Sequence, residues 1–376
     1  MKNIGVLLEK LLKIHHGDNI IRMKGIILHG GNGTRLRPLT HTGPKQLLPI
    51  ANRPMSEYCI ESLKEAGIKD IAVVIGGIGS ERVQEYYNDG EKFGVNLTYV
   101  KQDYPKGIAD AINLCRDFIG NDKFVVFLGD NIILKSIAEY VYEFKNNDVD
   151  ASILLCEVDN PSRFGIANIE NEKIKEIMEK PKNPPTNLAV TGIYFLTPII
   201  FEIIKNLKPS WRNELEITDA LDLLLKANGN ISYHIITDYW KDTGTPEDIL
   251  HANKVILENS LSKILGIVET GVKMEGKIIV EEGALIEESV ELIGPVLIGK
   301  NSIIKKGSKI GPNTTIGDDC VIDKVKIKNS IIMNNSKILI DLNVGNSIIA
   351  SNSELDSKLN FDEVRLLLGE GTKIFL

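Results

Sequence analysis

The sequence predicts an α/β domain with a mostly parallel sheet, followed by a coil of short parallel strands. From Met23 to about Asp242, apolar runs alternate with amphipathic segments of helical length, a pattern typical of a parallel sheet covered on both faces. After Ile264, apolar residues recur at every sixth position, which fits neither a helix nor an alternating strand. The 376 residues are enough for two domains, each with its own core.

In the first region, apolar runs rich in β-branched residues predict strands, and the segments between them predict helices. We expect strands at 71–75, 97–100, 124–128, 152–156 and 231–236, and helices at 56–66, 108–118 and 136–146. Ligands of such sheets bind beyond the carboxyl ends of the strands. The loops at 30–33 and 129–130 directly follow strand-like runs, so we expect them to share one cleft.

The six-residue ladder of the second region is unbroken over eight positions and then skips. The positions predicted to point inward are Val280, Ile286, Leu292, Ile298, Ile304, Ile310, Ile316 and Ile322, then Ile332, Ile338, Val344 and Ala350. The step from Ile322 to Ile332 predicts an inserted loop or corner. The segment resembles the left-handed β-helix of hexapeptide-repeat proteins, which implies about four turns at three hexads a turn. A linking helix is predicted at 246–260, and a cap on the open end of the coil after Leu355.

Composition and charge exclude several classes of protein. Lys plus Arg number 44 against 51 Asp plus Glu, a net charge of −7, so binding to nucleic acid or to a membrane surface is not expected. The four cysteines lie far apart without CxxC spacing, which predicts a reduced, cytoplasmic protein without a zinc site. No apolar run reaches the ~18 residues of a membrane helix. Residues 1–22 are amphipathic and predicted to be a helical peripheral extension.

The stretch 25–52, GIILHGGNGTRLRPLTHTGPKQLLPIAN, organises the expected chemistry. A short strand runs into glycines whose bare N–H groups can approach a phosphate, and the run matches neither a Walker loop nor a dinucleotide fingerprint. Glycines, Arg35 and the segment PKQLLP at 44–49, in this order, resemble the signature of the sugar-1-phosphate nucleotidylyltransferases. With Gln46 at its position, the segment resembles the glucose-1-phosphate thymidylyltransferase branch of that family. This resemblance implies a Rossmann-like catalytic domain.

The resemblance assigns roles on the nucleotide side. It implies that Arg35 and Lys45 contact the triphosphate and the attacking phosphate, and that Gln102 and Gly107, in YVKQDYPKGIADA, read a pyrimidine base. The remaining nucleotide-binding positions that it implies are Leu28, Gly30, Gly31, Gly33, Thr34, Gln46 and Asp130. Asp130 and Asp242 match the metal positions of the family and are expected to bind Mg²⁺, although an Asp after a strand more often caps a helix or forms a turn.

The sugar phosphate side falls between Ser162 and Asp219. By the same resemblance, Lys180 and Arg212 hold the sugar phosphate, and Glu179 accepts hydroxyl hydrogens of the sugar. The residues implied to shape the sugar pocket are Asn131, Gly165 and Val190. Three positions depart from the family pattern: His29 replaces an Ala, Asp103 a Pro and Phe164 a Tyr.

The expected activity is nucleotidyl transfer from dTTP or UTP to a sugar 1-phosphate, glucose 1-phosphate above all. Gln102 and Gly107 suit uracil as well as thymine, so dTTP and UTP, and glucose and N-acetylglucosamine, stay open. An added acetyltransferase activity is disfavoured because all six histidines, the usual bases, lie outside the coil. A non-catalytic regulatory subunit is disfavoured because the cationic and acidic positions are all present.

We therefore expect three segments: an extension at 1–22, a catalytic domain at 23–263 and a β-helix with its cap at 264–376. The coil is expected to serve assembly of a homo-oligomer, and its removal to leave some catalysis.

Overall fold

A computed structural model describes residues 23–31, 33–339, 341–356 and 361–375; the extension predicted at 1–22 lies outside them. The chain divides into two compact units. The first comprises residues up to 31 together with 56–242, and the second comprises 32–55 together with 243–376. The stretch 32–55, which carries most of the glycine and PKQLLP signature, thus groups with the coil.

In and around the α/β region, strands alternate with helices along the chain. They are β1 (Met23–His29), β2 (Pro49–Ile50), β3 (Arg53–Pro54), α1 (Met55–Glu65), β4 (Asp70–Ile75), α2 (Glu81–Tyr87), β5 (Asn96–Lys101), α3 (Ile108–Leu114), α4 (Arg116–Ile119), β6 (Lys123–Leu128), β7 (Asn131–Ile133), α5 (Ala138–Asn146), β8 (Ala151–Glu157), β9 (Gly165–Glu170), β10 (Lys173–Glu179), β11 (Leu188–Leu196), α6 (Ile199–Ile204), α7 (Ile217–Lys226), β12 (Ile231–Ile236), β13 (Trp240–Asp242) and α8 (Pro246–Asn259). The predicted strands and helices are all found, with ends shifted by one to two residues, except that the helix predicted at 108–118 is broken at Cys115.

The first unit is built on a mixed sheet, nine-stranded among the described residues, with a path β10-β9-β11-β6-β1-β4-β5 and with β8 between β11 and β12. β1 pairs in parallel with β4 and β6, and β4 with β5, as the sequence predicts. β9, β10 and β11, which were not predicted from the sequence, enter antiparallel. The continuous apolar runs of these strands explain the core: Ile26 of β1, Val126 of β6 and Ile153 of β8 are fully buried in one cluster.

The second unit contains the coil, whose strands stack in parallel in three sheets. They are β14 (Lys263–Ile264), β15 (Ile267–Val268), β16 (Lys273–Glu275), β17 (Ile278–Val280), β18 (Leu285–Ile286), β19 (Glu291–Ile293), β20 (Val296–Ile298), β21 (Ile303–Ile304), β22 (Lys309–Ile310), β23 (Thr314–Ile316), β24 (Val321–Ile322), β25 (Lys326–Lys328), β26 (Ile331–Ile332), β27 (Lys337–Leu339), β28 (Leu342–Gly345), β29 (Ile348–Ile349), β30 (Glu354–Asp356), β31 (Phe361–Val364), β32 (Leu367–Leu368) and β33 (Lys373–Phe375). The stacked parallel strands are consistent with the predicted left-handed β-helix.

The ladder of inward apolar residues is confirmed as far as Val344, but four details of the prediction are wrong. No loop is inserted between Ile322 and Ile332. Ile327 forms a rung between them and pairs with Ile310, so two five-residue steps stand where an inserted loop or corner was expected. Ile349, rather than Ala350, pairs with Ile332.

Strands also continue beyond Leu355, which pairs with both Ile338 and Ile374. The described residues after Leu355 therefore extend the coil rather than leaving its pattern. Two of the sheets have seven strands and the third has six among the described residues, so the coil has more turns than the four expected. Its corners use left-handed backbone, most often at Asn or Gly, the residues that tolerate this conformation best.

The second unit also holds the hairpin β2–β3 and the helix α8. α8 begins as predicted, with Thr245 Oγ1 accepting the backbone N–H of Asp248 at 3.3 Å and Pro at its first position. Among the described residues, no helix has the length and apolar character needed to cross a bilayer.

Candidate active site

In the first unit, the carboxyl ends of β1 and β6 bring the first glycines of the signature next to Asp130. Leu28 is in register with Leu128, and Gly129 donates its N–H to the carbonyl of Leu28 at 3.0 Å. The loops that begin at Gly30 and at Gly129 therefore leave adjacent strand ends. The side chain of Leu28 is buried in the core. A contact from Leu28 to a nucleotide would therefore come from its backbone.

His29 closes β1 and is 1% exposed. Among the described residues neither of its ring nitrogens has a hydrogen-bond partner, and its ring lies edge-on to Tyr87. Burial lowers the pKa of His29 to about 3, against a smaller opposing effect of the Asp130 charge. The imidazole is therefore neutral at physiological pH and packs as an aromatic side chain.

The segments that carry the two predicted metal carboxylates are neighbours in the first unit. β13 pairs antiparallel with β7, and this register sets Asp242 opposite Asn131, the residue after Asp130. Asn131 is held on three sides: its Oδ1 accepts from Trp240 Nε1 at 2.7 Å and from the N–H of Gly192 at 3.3 Å, and its Nδ2 donates to Asp130 Oδ1 at 3.1 Å. Asn131 is thus a fixed amide that orients the Asp130 carboxylate.

The donor set suits a hard divalent cation. Among the described residues, no group of three or more His, Cys, Asp or Glu side chains could enclose a metal by itself. Mg²⁺ is commonly held by one or two carboxylates and completes its shell with water and substrate phosphates, so Asp130 and Asp242 fit it and a closed structural metal site is not required.

The predicted base-reading residues also lie in the first unit. Gln102 follows β5, is 9% exposed and donates from Nε2 to Asp110 Oδ2 at 2.8 Å. Gly107 has φ +106°, and a side-chain carbon there would lie 2.4 Å from the carbonyl oxygen of Leu215. Only Gly fits this position, where Leu215 also bonds the backbone of Lys106 at 2.7 Å.

The predicted sugar phosphate residues meet around Glu179, at the end of β10. Lys180 Nζ lies 3.1 Å from Glu179 Oε1, and Arg212 Nη1 lies 3.4 Å from the same oxygen. Gly165 is in register with Glu179 across the β9–β10 pair. The side chain of Val190, on β11, is buried in the core of the same unit. Two cations and one carboxylate are therefore grouped at one end of the antiparallel strands, with about a third of each cation exposed.

Two further residues, to which the sequence assigned no role, support this group. Thr218 donates from Oγ1 to Glu179 Oε2 at 2.9 Å, and it occupies the space that a side chain at Gly165 would fill. Glu216 is almost fully buried beside Arg212, and burial, followed by the charge of Glu179, raises the pKa of Glu216. Both lie in the segment RNELEITD at 212–219, in which Arg212 had already been assigned to the sugar phosphate.

The second unit carries the other predicted nucleotide residues. Gly33, with φ +56°, leads into a 3₁₀ turn over Thr34–Leu36, and its carbonyl accepts from Thr40 Oγ1 at 2.8 Å. This turn exposes Thr34 and Arg35 while Leu36 is buried. The guanidinium of Arg35 lies against Gly244, where a side-chain carbon would approach Nη2 to 2.9 Å.

Lys45 and Gln46 occupy a second 3₁₀ turn, Lys45–Leu47, which runs into the hairpin β2–β3. Ala51 and Asn52 form the turn of that hairpin with φ of 47° and 61°. Asn253 of α8 accepts the N–H of Ala51 at 2.9 Å and the hydroxyl of Thr315 at 2.8 Å, both on Oδ1. Asn52 donates to the carbonyl of Ile316 at 2.8 Å. The hairpin after Lys45 is therefore bonded to α8 and to a strand of the coil.

The predicted residues thus form three groups within the units. The metal and base-reading residues and the sugar phosphate group belong to the first unit, and the cationic signature residues belong to the second. Gly31 ends the described part of the glycine run before residue 32. The roles given to all these residues stay predictions.

Fold and arrangement together are those of a nucleotide-handling α/β domain joined to a parallel β-coil, and comparison with known proteins agrees. A family model described as nucleotidyl transferase matches residues 24–259, and a model described as GMPPB C-terminal domain matches residues 292–374. The chain belongs to the nucleotidyl transferase family.

Individual relatives indicate which kinds of nucleotidyltransferase this chain is similar to. A low-salt glycan biosynthesis nucleotidyltransferase, Agl11 of Haloferax volcanii, is 43% identical over 94% of this chain and 100% of its own length. A glucose-1-phosphate thymidylyltransferase of Streptomyces antibioticus is 38% identical over 94% of this chain and 99% of its own. A crystal structure described as a putative glucose-1-phosphate thymidylyltransferase of Bacillus anthracis in complex with sucrose is 46% identical, with a TM-score of 0.60 over 64% of this chain and 98% of its own. The predicted resemblance to the sugar-1-phosphate nucleotidylyltransferases is confirmed.

Proposed function

We propose that this protein transfers a nucleotidyl group from dTTP or UTP to glucose 1-phosphate and releases pyrophosphate. The observation that carries the proposal is that the first unit holds two groups of candidate site residues. One set of strand ends presents two carboxylates suited to Mg²⁺ and an amide suited to a base, and another presents Lys180, Arg212 and Glu179 for a phosphorylated sugar. The thymidylyltransferase relatives named above support the choice of substrates.

In this reaction an oxygen of the sugar phosphate attacks the α-phosphorus of the triphosphate, and the bond to pyrophosphate breaks. Two polyanions must approach each other, so positioned cations carry much of the catalysis. Lys180 and Arg212 would hold the sugar phosphate, while Glu179 accepts hydroxyl hydrogens of the sugar. Arg35 and Lys45 would neutralise the triphosphate and the charge that develops on the departing pyrophosphate.

Asp130 and Asp242 would hold Mg²⁺, which neutralises phosphate charge and polarises the α-phosphate. Asn131 keeps the Asp130 carboxylate in place through the 3.1 Å bond to its Oδ1. Together with the bonds that Asn131 Oδ1 accepts from Trp240 and Gly192, this bond would orient the carboxylate toward the metal.

We also assign Glu179 the part of a counter-charge to Lys180 and Arg212. With two cations around it, the carboxylate offsets their mutual repulsion before the sugar phosphate binds. A bound phosphate would draw Lys180 and Arg212 toward itself and leave Glu179 to a sugar hydroxyl. The bond from Thr218 to the other oxygen of Glu179 keeps the carboxylate oriented during this exchange.

The test is a matrix of pyrophosphate release. dTTP, UTP, GTP and ATP are each combined with glucose, N-acetylglucosamine and mannose 1-phosphates in the presence of Mg²⁺. The proposal expects dTTP or UTP with glucose 1-phosphate to give the highest kcat/KM, and the rate to disappear with a chelator. Turnover confined to a purine nucleotide, or full turnover without a divalent cation, would contradict it.

We further propose that the protein acts as a cytoplasmic homo-oligomer. All four cysteines are free thiols, as expected in a reducing compartment. The first turn of the coil exposes Ile264, Ile267 and Met274, apolar residues suited to contact with another copy. Sedimentation velocity of the full chain tests this: a single monomeric species at micromolar concentration would contradict it.

A further inference from the structure

The amide of Gln102 is held in one orientation. Its Nε2 donates to Asp110 Oδ2 at 2.8 Å and reaches the carbonyl oxygen of Gly107 at 3.4 Å. An ionised carboxylate and a backbone carbonyl can only accept hydrogen bonds. Turning the amide by half a revolution would set its oxygen against two acceptors, so Asp110 and Gly107 together fix the nitrogen on their side.

The main chain of Gln102 is fixed as well. Its N–H donates to the carbonyl of Ile75 at 2.8 Å, and its own carbonyl lies where a side chain at Gly76 would stand, 2.4 Å from that added carbon. The side-chain oxygen is turned toward the glycine run, since a side-chain carbon at Gly30 would lie 3.9 Å from Oε1. The residue thus presents an acceptor beside the loop that is expected to meet the nucleotide.

We propose that Asp110 is a specificity-determining positioning residue, which selects nucleotides whose base carries a ring N–H by locking Gln102 with its oxygen outward. This inference rests on the proposed role of Gln102 in base recognition. Uracil and thymine carry such an N–H at N3 and guanine carries one at N1, whereas cytosine and adenine present a bare ring nitrogen at the same place. A fixed acceptor can accept a hydrogen bond from the ring N–H of the first group of bases, but it faces the lone pair of the bare ring nitrogen in the second.

The carboxylate is the necessary feature of Asp110. An amide in its place could turn its own NH₂ toward Gln102, and the Gln102 amide could then turn its oxygen inward and present NH₂ to the base. Such a site would accept cytosine. The longer 3.4 Å contact with the Gly107 carbonyl would then be left to orient the amide, so the discrimination falls without loss of any contact to sugar or phosphate.

The experiment compares UTP with CTP, which differ only in the edge that Gln102 would read. Full-length wild type, Asp110→Asn and Asp110→Ala are assayed for pyrophosphate release with glucose 1-phosphate and Mg²⁺. The dissociation constants of the two nucleotides are measured separately by calorimetry without the sugar phosphate. Asp103→Asn is the matched control, since Asp103 adjoins Gln102 but pairs with Lys101 at 3.2 Å on the exposed surface.

We expect the UTP:CTP ratio of kcat/KM, and the corresponding ratio of affinities, to fall about tenfold in both Asp110 variants, the equivalent of one lost hydrogen bond. Asp103→Asn should keep the wild-type ratios. Because Asp110→Asn is isosteric, an unfolded Asp110→Ala protein would not prevent the test.

The two proposals fail in different ways. Absence of transfer by the wild type with every substrate pair would overturn the proposed function, while the ratio of affinities would still decide the role of Asp110. Wild-type ratios in Asp110→Asn, or equal affinity of the wild type for UTP and CTP, would overturn the role of Asp110.

Discussion

Replacing Asn253 by Ala should loosen the hairpin that follows Lys45 and Gln46. Asn253 is fully buried, and its Oδ1 accepts from Ala51 N and Thr315 Oγ1. Removing this acceptor leaves two buried donors without a partner, at about 1–3 kcal/mol each. Ala51 also sits at φ 47°, a conformation that costs a non-Gly residue about 1 kcal/mol and that the bond from its N–H helps to maintain.

Local opening of the hairpin is therefore expected to become easier by about 2–3 kcal/mol, which corresponds to roughly 30- to 150-fold faster exchange of the Ala51 amide. Hydrogen exchange read by mass spectrometry on peptides covering residues 45–54 measures this directly. kcat for pyrophosphate release should fall with it, because Lys45 and Gln46 lie in the turn that leads into the hairpin.

Asn259→Ala is the matched control for this substitution. Asn259 is on the same helix, but its side chain is exposed and, within the part of the chain that the structure describes, bonds only the carbonyl of Val255 at 2.8 Å. It should leave exchange and kcat at wild-type values. If Asn253→Ala remains folded with unchanged exchange across 45–54, the hairpin does not depend on Asn253 and the reasoning is refuted.

Three further substitutions test other parts of the molecule. Asp130→Asn should retain the fold and lower Mg²⁺-dependent turnover at least about 100-fold, as measured by pyrophosphate release, because it removes a metal carboxylate. Gly107→Ala should destabilise the protein by more than about 2 kcal/mol in urea unfolding and raise KM for the nucleotide. Residue 107 has φ +106°, and the new carbon would lie 2.4 Å from the carbonyl oxygen of Leu215. His29→Phe should reduce the pH dependence of stability between pH 6.5 and pH 4.5. In this range the buried neutral His29, with its pKa at about 3, lowers the free energy of unfolding by about 1.4 kcal/mol for each unit by which the pH falls.

The sign of the His29 effect follows from proton uptake. Below about pH 6.5, His29 is protonated in the unfolded chain but stays neutral in the native protein. The free energy of unfolding therefore decreases as the pH falls toward the native pKa of His29. Urea unfolding in the presence of a chelator measures this without any bound metal. His41→Phe, at an exposed position, is the control, and equal pH slopes for His29→Phe and wild type would contradict the assignment.

The other two controls are equally direct. Asp117→Asn changes an exposed carboxylate and should keep full turnover; full turnover in Asp130→Asn would remove that residue from the metal site. Gly120→Ala introduces a side chain at φ +63° with no atom within 4 Å, so it isolates backbone strain from the clash at Gly107. Equal losses of stability at both glycines would show that the contact with Leu215 is unimportant.

Much of the fold could be predicted because it depends on local periodicity. The runs that became β4, β6 and β12 are apolar and β-branched, and Ile286, Ile298 and Ile310 keep one spacing because each stacks on the residue a full turn away. β9 (GIANIE) and β10 (KIKEIME) were missed because they are short and mix apolar with polar residues without a regular alternation. Their antiparallel pairing with each other, which the sequence does not show, stabilises them. The five-residue steps around Ile327 were missed for a related reason: a shortened corner resembles an interruption until the partner strand is known.

The candidate site was predicted unevenly for the same physical reason. Residues that form motifs, such as Arg35, Lys45 and Asp130, can be found from their neighbours in the chain. The contacts that hold such residues in place join distant segments: Thr218 reaches Glu179, and Trp240 reaches Asn131. A bond between residues 39 or 109 positions apart leaves no local trace in a sequence.

The support of the signature hairpin also has a consequence for synthesis of the chain. The partners of Ala51 and Asn52 lie 202 and 264 residues further along. During synthesis, the hairpin segment therefore leaves the ribosome long before either bond can form. The bond from Asn52 can form only after about half of the coil has left the ribosome. The hairpin after Lys45 and Gln46 would therefore gain its full support only when the coil is well under way.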